Sequence, residues 1–278
     1  MRKGALAATL VYSAAGVVAL WSLGPFLWQF LTSIKTPEQT LASPPIYWVW
    51  PPTFVSYAKI FAARPFGRYM LNSLLVALGT TATCTLLGTL AAYALSRPKL
   101  RGSSAVLGAM LVVSLFPPTL VVVALKRLVV AAGLLNSLWS LILSYAALNL
   151  PFAIFVLRAF FMQVPKDIEE AAQVDGLSRW GTLWKIIFPL SAPAVATTAI
   201  LVFIFSWNEF LLALAFISRD SARTVPAGIA LLSGVTVYEV PWDQISAAVV
   251  VTTLPVVAMV LAFQRRILQG LTAGGVKG

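Results

Sequence analysis

Residues Pro165 to Leu190 read PKDIEEAAQVDGLSRWGTLWKIIFPL. The stretch holds Asp167, Glu169, Glu170 and Asp175, four of the nine acidic residues in the chain. The pattern predicts two short helices with a tight break between them. Pro165 suits the first turn of a helix, where its missing N–H costs nothing. Asp167, Glu169 and Glu170 follow in the early turns, where acids favour the helix dipole. Asp175-Gly176 ends that helix, because glycine takes the left-handed C-terminal conformation cheaply. Ser178 can cap the next one. Trp180, Leu183, Trp184 and Ile187 fall at i, i+3, i+4 and i+7 and make one apolar face. A small helix–turn–helix of mixed charge between two apolar runs reads as a docking element for something soluble.

The rest of the chain is a different solvent problem. Of 278 residues, 59% are hydrophobic and 10% charged, against about 25% charged in soluble domains. No soluble fold of this size can bury that much apolar area, so the expected class is all-α, a polytopic membrane protein. The formal charge is +11. The basic residues flank apolar runs, so lipid headgroups and topology explain them better than nucleic acid. There are no histidines and one cysteine, Cys84. Histidine chemistry and an internal disulfide are thereby excluded, and Cys84 reads as a small packing residue within a span.

A helix needs about 20 residues to cross a bilayer. Six runs are candidates: Gly4 to Ile34, Met70 to Ser96, Gly102 to Leu125, the run within Leu128 to Leu157 that starts near Ser137, Phe188 to Asn208, and Gln244 to Gln264. The first is too long for the apolar core of a signal peptide. The third carries Phe116-Pro117-Pro118, a pair that bends or interrupts a helix. In the fifth, Leu211 to Ile217 are read as continuing the helix, which puts Glu209 inside its outer half. The Lys35 to Arg68 connection is rich in Pro and aromatics. Phe54, Tyr57, Ile60 and Phe61 there are expected to form a short interfacial helix. Gly79/Ala82, Gly88/Ala91/Ala92 and Ala192 to Ala199 offer small-residue packing faces. No internal repeat or domain boundary stands out, so residues 1–278 are expected to form one transmembrane domain, with the docking loop at about 163–190.

Six crossings put both termini on one side. With the N-terminus inside, Arg2, Lys3, Arg97, Lys99, Arg101, Arg158, Lys166, Arg179, Lys185, Arg265, Arg266 and Lys277 lie inside, twelve of the twenty basic residues. That bias expects cytoplasmic termini and a cytoplasmic docking element.

Glu170-Ala171-Ala172, then Asp175-Gly176, then Pro189-Leu190 resembles the EAA loop of binding-protein-dependent ABC importer permeases. The similarity extends over nearly the whole chain. GLLNSLWSLIL from Gly133, LPFAIFVLRAFFMQVPKDIEEAA ending at Ala172, and Trp207-Asn208-Glu209-Phe210 resemble the carbohydrate-uptake branch. The ending, Phe263-Gln264-Arg265-Arg266 and then Gly270 to Gly278, is similar to the maltose-permease MalG type. The resemblance implies a six-helix type I importer permease in a prokaryotic inner membrane. It implies a second permease of the MalF type, hence a heterodimer, two ATPase subunits beneath, and an extracytoplasmic solute-binding protein above. It also implies that Glu170 makes a polar contact with the ATPase, that Ala171 and Ala172 pack closely there, and that Asp175 and Gly176 form the turn. ATP and Mg would be bound by the ATPase, with no cofactor in this chain.

The residues agree with a transport subunit that is not an enzyme. No Gly-x-x-x-x-Gly-Lys-Ser/Thr pattern, metal-ligand cluster or acid/base pair is present in the sequence. Glu209, with Asn208, is either a polar pathway or gate position or a carboxylate paired or hydrated near the outer interface. Asn149 is a candidate sugar contact or an interhelical hydrogen bond. The resemblance implies a carbohydrate substrate, with an α-linked disaccharide such as maltose or trehalose first, and polyols, monosaccharides or glycerol phosphate as alternatives. An ion-coupled secondary transporter is the rival class. It would need charged coupling sites at mid-membrane, and it leaves the acidic insert unexplained.

Overall fold

Inside a bilayer the backbone has no water to bond to, so each long apolar run must satisfy its own N–H and C=O groups as helix. The computed structural model describes residues 2–97, 102–114, 116–232 and 240–275, and the regular elements among them are helical. Lys99, Arg101 and Lys277 of the charge count, and the tail from Val276, lie outside these residues. The long helices are α1 (Arg2–Ser33), α4 (Phe66–Ser96), α7 (Leu138–Phe161) and α14 (Trp242–Gly275). Each contains a segment long and apolar enough to cross a membrane. Arg179–Leu190 and Ala192–Asn208 pass the same test together as a pair bent by 79°, which brings the number to five.

The expected third crossing is divided. It forms α5 (Ser103–Ser114) and α6 (Pro118–Ala131), with Pro117 as the N-cap of α6. Prolines here supply no N–H to bridge the break. The 79° bend has the same cause. Ser191 sits between Pro189 and Pro193, and neither proline can donate across it.

The described residues pack as two compact units, within 1–67 and 228–255 and within 68–227 and 256–278. In the first, α1 is followed by α2 (Pro37–Leu41) and α3 (Val55–Ala63). Thr36 and Gln39 form a capping box at α2, each side chain accepting from the other's backbone N–H. The Lys35 ammonium lies 4.2 Å from the Trp28 ring centre. The interfacial helix expected from Phe54, Tyr57, Ile60 and Phe61 is α3, and it is tethered inward. Ile60 is fully buried, and buried Ser56 donates to Asp243 Oδ2 at 2.6 Å, while Phe54 and Phe61 stay exposed.

In the second unit α7 is the central helix. It packs against α5, against α11 (Ala192–Asn208) and against α12 (Leu211–Phe216). Leu141, Ile142 and Tyr145 of α7 share a core with Val76, Val129, Leu212, Ala213 and Phe216. Lower along α7, Ile154, Leu157 and Phe161 meet Ala92 and Leu95 of α4. Cys84 is buried against Ala146, Ala153 and Val202, as its size suits. Small residues let the backbones approach. A Cβ on Gly79 would stand 2.9 Å from Ile142 Cδ1, and one on Gly88 3.4 Å from the Ala153 Cβ.

The loops at the other end of α7 are stitched by side-chain amides. Asn136 takes φ of 61°, and its Oδ1 accepts from the Ser218 and Arg219 N–H groups at 2.6 and 3.0 Å. Asn72 Nδ2 donates to the Ser221 and Arg223 carbonyls, and Ser73 Oγ accepts from the Val225 N–H, at the start of α13 (Val225–Ala230). Overpacking the α4–α7 seam is expected to cost about 1–3 kcal/mol. Gly79→Leu should lower the detergent-solubilised protein's thermal midpoint, whereas Gly108→Ala, inside α5 and meeting nothing within 4 Å, should not lower it.

Candidate functional site

The acidic stretch folds as two helices around a glycine turn, as its pattern predicts. The first is α8 (Lys166–Val174). Pro165 is its N-cap rather than a residue of the first turn, and Asp167 and Glu169 occupy that turn. Asp175 ends the helix, and Gly176 follows with φ of +86°. The Leu177 N–H reaches back to the Ala172 carbonyl and the Gly176 N–H to that of Gln173. These two bonds define a Schellman cap, and the left-handed residue it needs explains Gly176. Ser178 Oγ then accepts from the Gly181 N–H and caps α9 (Arg179–Thr182).

The expected apolar face forms over Leu183, Trp184 and Ile187, and only Trp180 stays outside it. Leu183–Ile187 form a π-helical turn before α10 (Phe188–Leu190). The wider turn rotates the pattern. Leu183 and Ile187 enter the core with Leu157, Phe161 and Val195. Trp184 and Phe188 pack against the same core and continue outward as a row of ring contacts to Trp180, with centres 5.9 and 5.1 Å apart, and Trp180 is exposed. Burying side chains such as Leu183 and Ile187 out of water is worth about 1.5–3 kcal/mol each. That seats the second helix firmly on α7.

Two faces of α8 have opposite characters. Glu169 and Ala172, one turn apart, are each 6% exposed. Glu170, Ala171, Asp175 and Gly176 are exposed, and Val174 is 87% exposed. Thus Ala171 and Ala172, equivalent in the sequence reading, face opposite ways. Glu169 forms an ion pair with Arg97, the residue that follows α4. The Arg97 guanidinium also donates to the Phe161 carbonyl at 3.4 Å and lies 5.2 Å from the Tyr93 ring centre. Burial pulls its pKa down from the ordinary value, and the neighbouring Tyr93 works the other way. Arginine remains charged even so, and a buried carboxylate needs such a partner. Sequence reading missed this pair. The available signal was an acid at Glu169 on the same helical face as Ala172, one turn away, where 3.6-residue periodicity expects an inward residue.

The other three candidates are Asn149, Asn208 and Glu209. The α11 helix ends at Asn208, and Glu209 has extended backbone, φ −67° and ψ 129°. The expectation that Leu211 to Ile217 continue the helix is therefore corrected. They begin a new one, α12, and the Glu209 carboxylate accepts from the Leu212 and Ala213 N–H groups at 2.9 and 3.2 Å. An anion at the orphan donors of a helix start explains the position without lipid exposure. Buried Tyr145 of α7 lies beside that carboxylate. Asn208 is exposed, and its Nδ2 donates to the Ile204 carbonyl. Asn149 bonds within its own helix, Nδ2 to the Tyr145 carbonyl at 2.8 Å, rather than to a neighbour.

Residues 84–272 match the family model described as "Binding-protein-dependent transport system inner membrane component". The chain belongs to this family. The permease is 41% identical over 269 residues to the sulfoquinovosyl glycerol transport system permease SmoH of Agrobacterium fabrum, covering 97% of this chain and 94% of that one. It is 40% identical to the trehalose/maltose transport system permease MalG of Thermococcus litoralis, covering both chains in full. Against the trehalose transport system permease SugB of Mycobacterium tuberculosis identity is 40%, over 94% of this chain and 95% of that one. Its fold is similar to a crystal structure of a bacterial ABC transporter involved in import of the acidic polysaccharide alginate. The TM-score is 0.79 at 21% identity, covering 95% of this chain and 98% of that one. The permease is a multi-pass membrane component of a binding-protein-dependent importer, not an enzyme.

Removing Arg97 would strand a buried carboxylate, at a cost of about 3–5 kcal/mol. Arg97→Ala should therefore melt the permease well below wild type. The double variant Arg97→Met, Glu169→Leu should recover most of that loss, because it removes both charges together. Equal melting of the single and double variants would show that the pair does not hold α8.

Proposed function

We propose that the permease imports a carbohydrate, and that α8 and its Gly176 turn couple it to an ATPase in the cytoplasm. One observation carries the reading. The inward face of α8 is anchored by Glu169 on Arg97, while Glu170, Ala171, Asp175 and Gly176 are presented outward from a segment between two spans. An element held that firmly on one side transmits displacement from the other. ATP-driven closure of the motor would move α8, and α8 would move α4 and α7 with it. Two conformations biased by both sites satisfy the thermodynamic requirement for coupling.

In this reading the termini are cytoplasmic, and residues 1–278 act as one transmembrane domain. The permease pairs with a second, MalF-type permease, two ATPase subunits that bind ATP and Mg, and an external solute-binding protein. The relatives named for trehalose and maltose support an α-linked disaccharide as the cargo. The relative named for sulfoquinovosyl glycerol supports a glycoside more broadly. Asn149 contributes a free amide oxygen to the pathway, and Glu209 with Asn208 sets the geometry of the α11–α12 break.

The test is ATP hydrolysis by the assembled transporter in proteoliposomes, with its binding protein and maltose or trehalose. Glu170→Arg reverses an exposed charge and spares the Arg97 anchor. Loss of one charge-assisted contact of about 1.5–3 kcal/mol predicts a fall of roughly 10–150-fold in sugar-stimulated turnover. Normal stimulation in that variant, with the transporter still assembled, would count against α8 as the coupling element.

A further inference from the structure

A second basic feature lies beside the anchor and is not used by it. A cavity of about 280 Å³ opens where α4 and α7 end and α8 begins. Arg97, Arg158 and Lys166 line it together with Ser103, Met162 and Val164. Three cations around one small space repel each other unless something negative is shared among them. Among the described residues Glu169 pairs with Arg97 alone. The Arg158 Nε–H donates to the Leu95 carbonyl at 2.9 Å, which fixes the guanidinium plane and leaves its two terminal amino groups. Those groups and the Lys166 ammonium have no other partner among the described residues. Among the described residues the site thus carries two unanswered positive charges.

We infer that this cavity binds a phosphate group, supplied by the headgroup of an anionic phospholipid. Four features point that way. A fork of guanidinium donors matches phosphate oxygens. The Ser103 side chain, at the start of α5, adds a hydroxyl. The cavity sits at the ends of membrane-spanning helices, the level at which headgroups lie. Apart from Ser96 its remaining lining is apolar, Leu95, Met162 and Val164, and Met162 is exposed, as suits the first carbons of an acyl chain. The volume falls just under the roughly 300–1,000 Å³ of small-molecule pockets, which fits a headgroup rather than a bulky solute. Arg97 serves both the cavity and Glu169, so lipid occupancy and the seating of α8 share one guanidinium.

Native mass spectrometry of the assembled, detergent-solubilised transporter tests the inference, with phosphatidylglycerol and phosphatidylcholine added as probes and inorganic phosphate as competitor. Wild type should retain phosphatidylglycerol in preference to phosphatidylcholine. At about fivefold per interfacial cation, Lys166→Gln should weaken retention about fivefold and Lys166→Gln with Arg158→Gln about 25-fold. Lys166→Arg should restore it. Lys166 is exposed and makes no ion pair among the described residues, so Lys166→Gln should leave the thermal midpoint unchanged. Displacement by millimolar inorganic phosphate would show that the site accepts the free anion as well as the headgroup. Equal retention of the two lipids by wild type, or undiminished retention in both variants, would overturn the inference. Neither readout involves ATP or sugar, so it stands or falls separately from the coupling assignment.

Discussion

The Arg97–Glu169 pair is the constraint on which the arrangement of this end of the permease depends. A carboxylate that is almost wholly buried is tolerable only against a fixed counter-charge. Here the counter-charge is the residue that closes α4, and it is itself steadied by the Phe161 carbonyl at the end of α7 and by the Tyr93 ring. Three elements therefore meet at one guanidinium. The pair need not add net stability to do this, since replacing a buried pair with apolar side chains is often neutral. It adds direction: α8 has one rotational setting in which Glu169 is satisfied, and that setting decides which residues point away from the bundle.

The second organising constraint is backbone accounting in a medium without water. Proline removes donors at Pro117–Pro118 and again at Pro189 and Pro193, and the helices break or bend at those places. The break after Asn208 has no proline. There the local backbone turns extended, and the Glu209 carboxylate takes over two N–H groups that a continuous helix would have bonded. One acidic side chain does for α12 what Thr36 and Ser178 do for their own short helices. Beyond α12, the Asn136 amide, in a left-handed turn, gathers the Ser218 and Arg219 donors.

Much of this was legible in the chain. The apolar runs marked α1, α4 and α7 to within a few residues, because twenty uncharged residues have few other stable forms in a bilayer, while α14 runs on past Gln264 to Gly275. Asp175-Gly176 and Ser178 marked the turn between α8 and α9, because a left-handed residue and a side-chain cap are local requirements. Of the apolar stripe from Trp180 to Ile187, Leu183, Trp184 and Ile187 share one core and Trp180 does not. A π-helical turn changes the residues per turn, and its insertion ahead of Pro189 left no signature in a count at 3.6. Glu209 was placed within a helix because hydrophobicity on both sides was continuous. Composition reports burial but not backbone direction.

The sequence by itself determined the solvent of this protein, the break at Pro117-Pro118 and the family motif that marks α8 and its turn. Each depends on neighbours along the chain, on proline, glycine, cap and apolar run, whose effects act within a turn or two of helix. Only the tertiary structure decided that Glu169 rather than Glu170 faces inward, and that its partner lies more than seventy residues earlier. The same holds for the enclosure of Arg158 and Lys166 with Arg97 around one cavity. Pairing of charges distant in sequence is a property of how α4, α7 and α8 pack, and nothing local to any one of those helices encodes it.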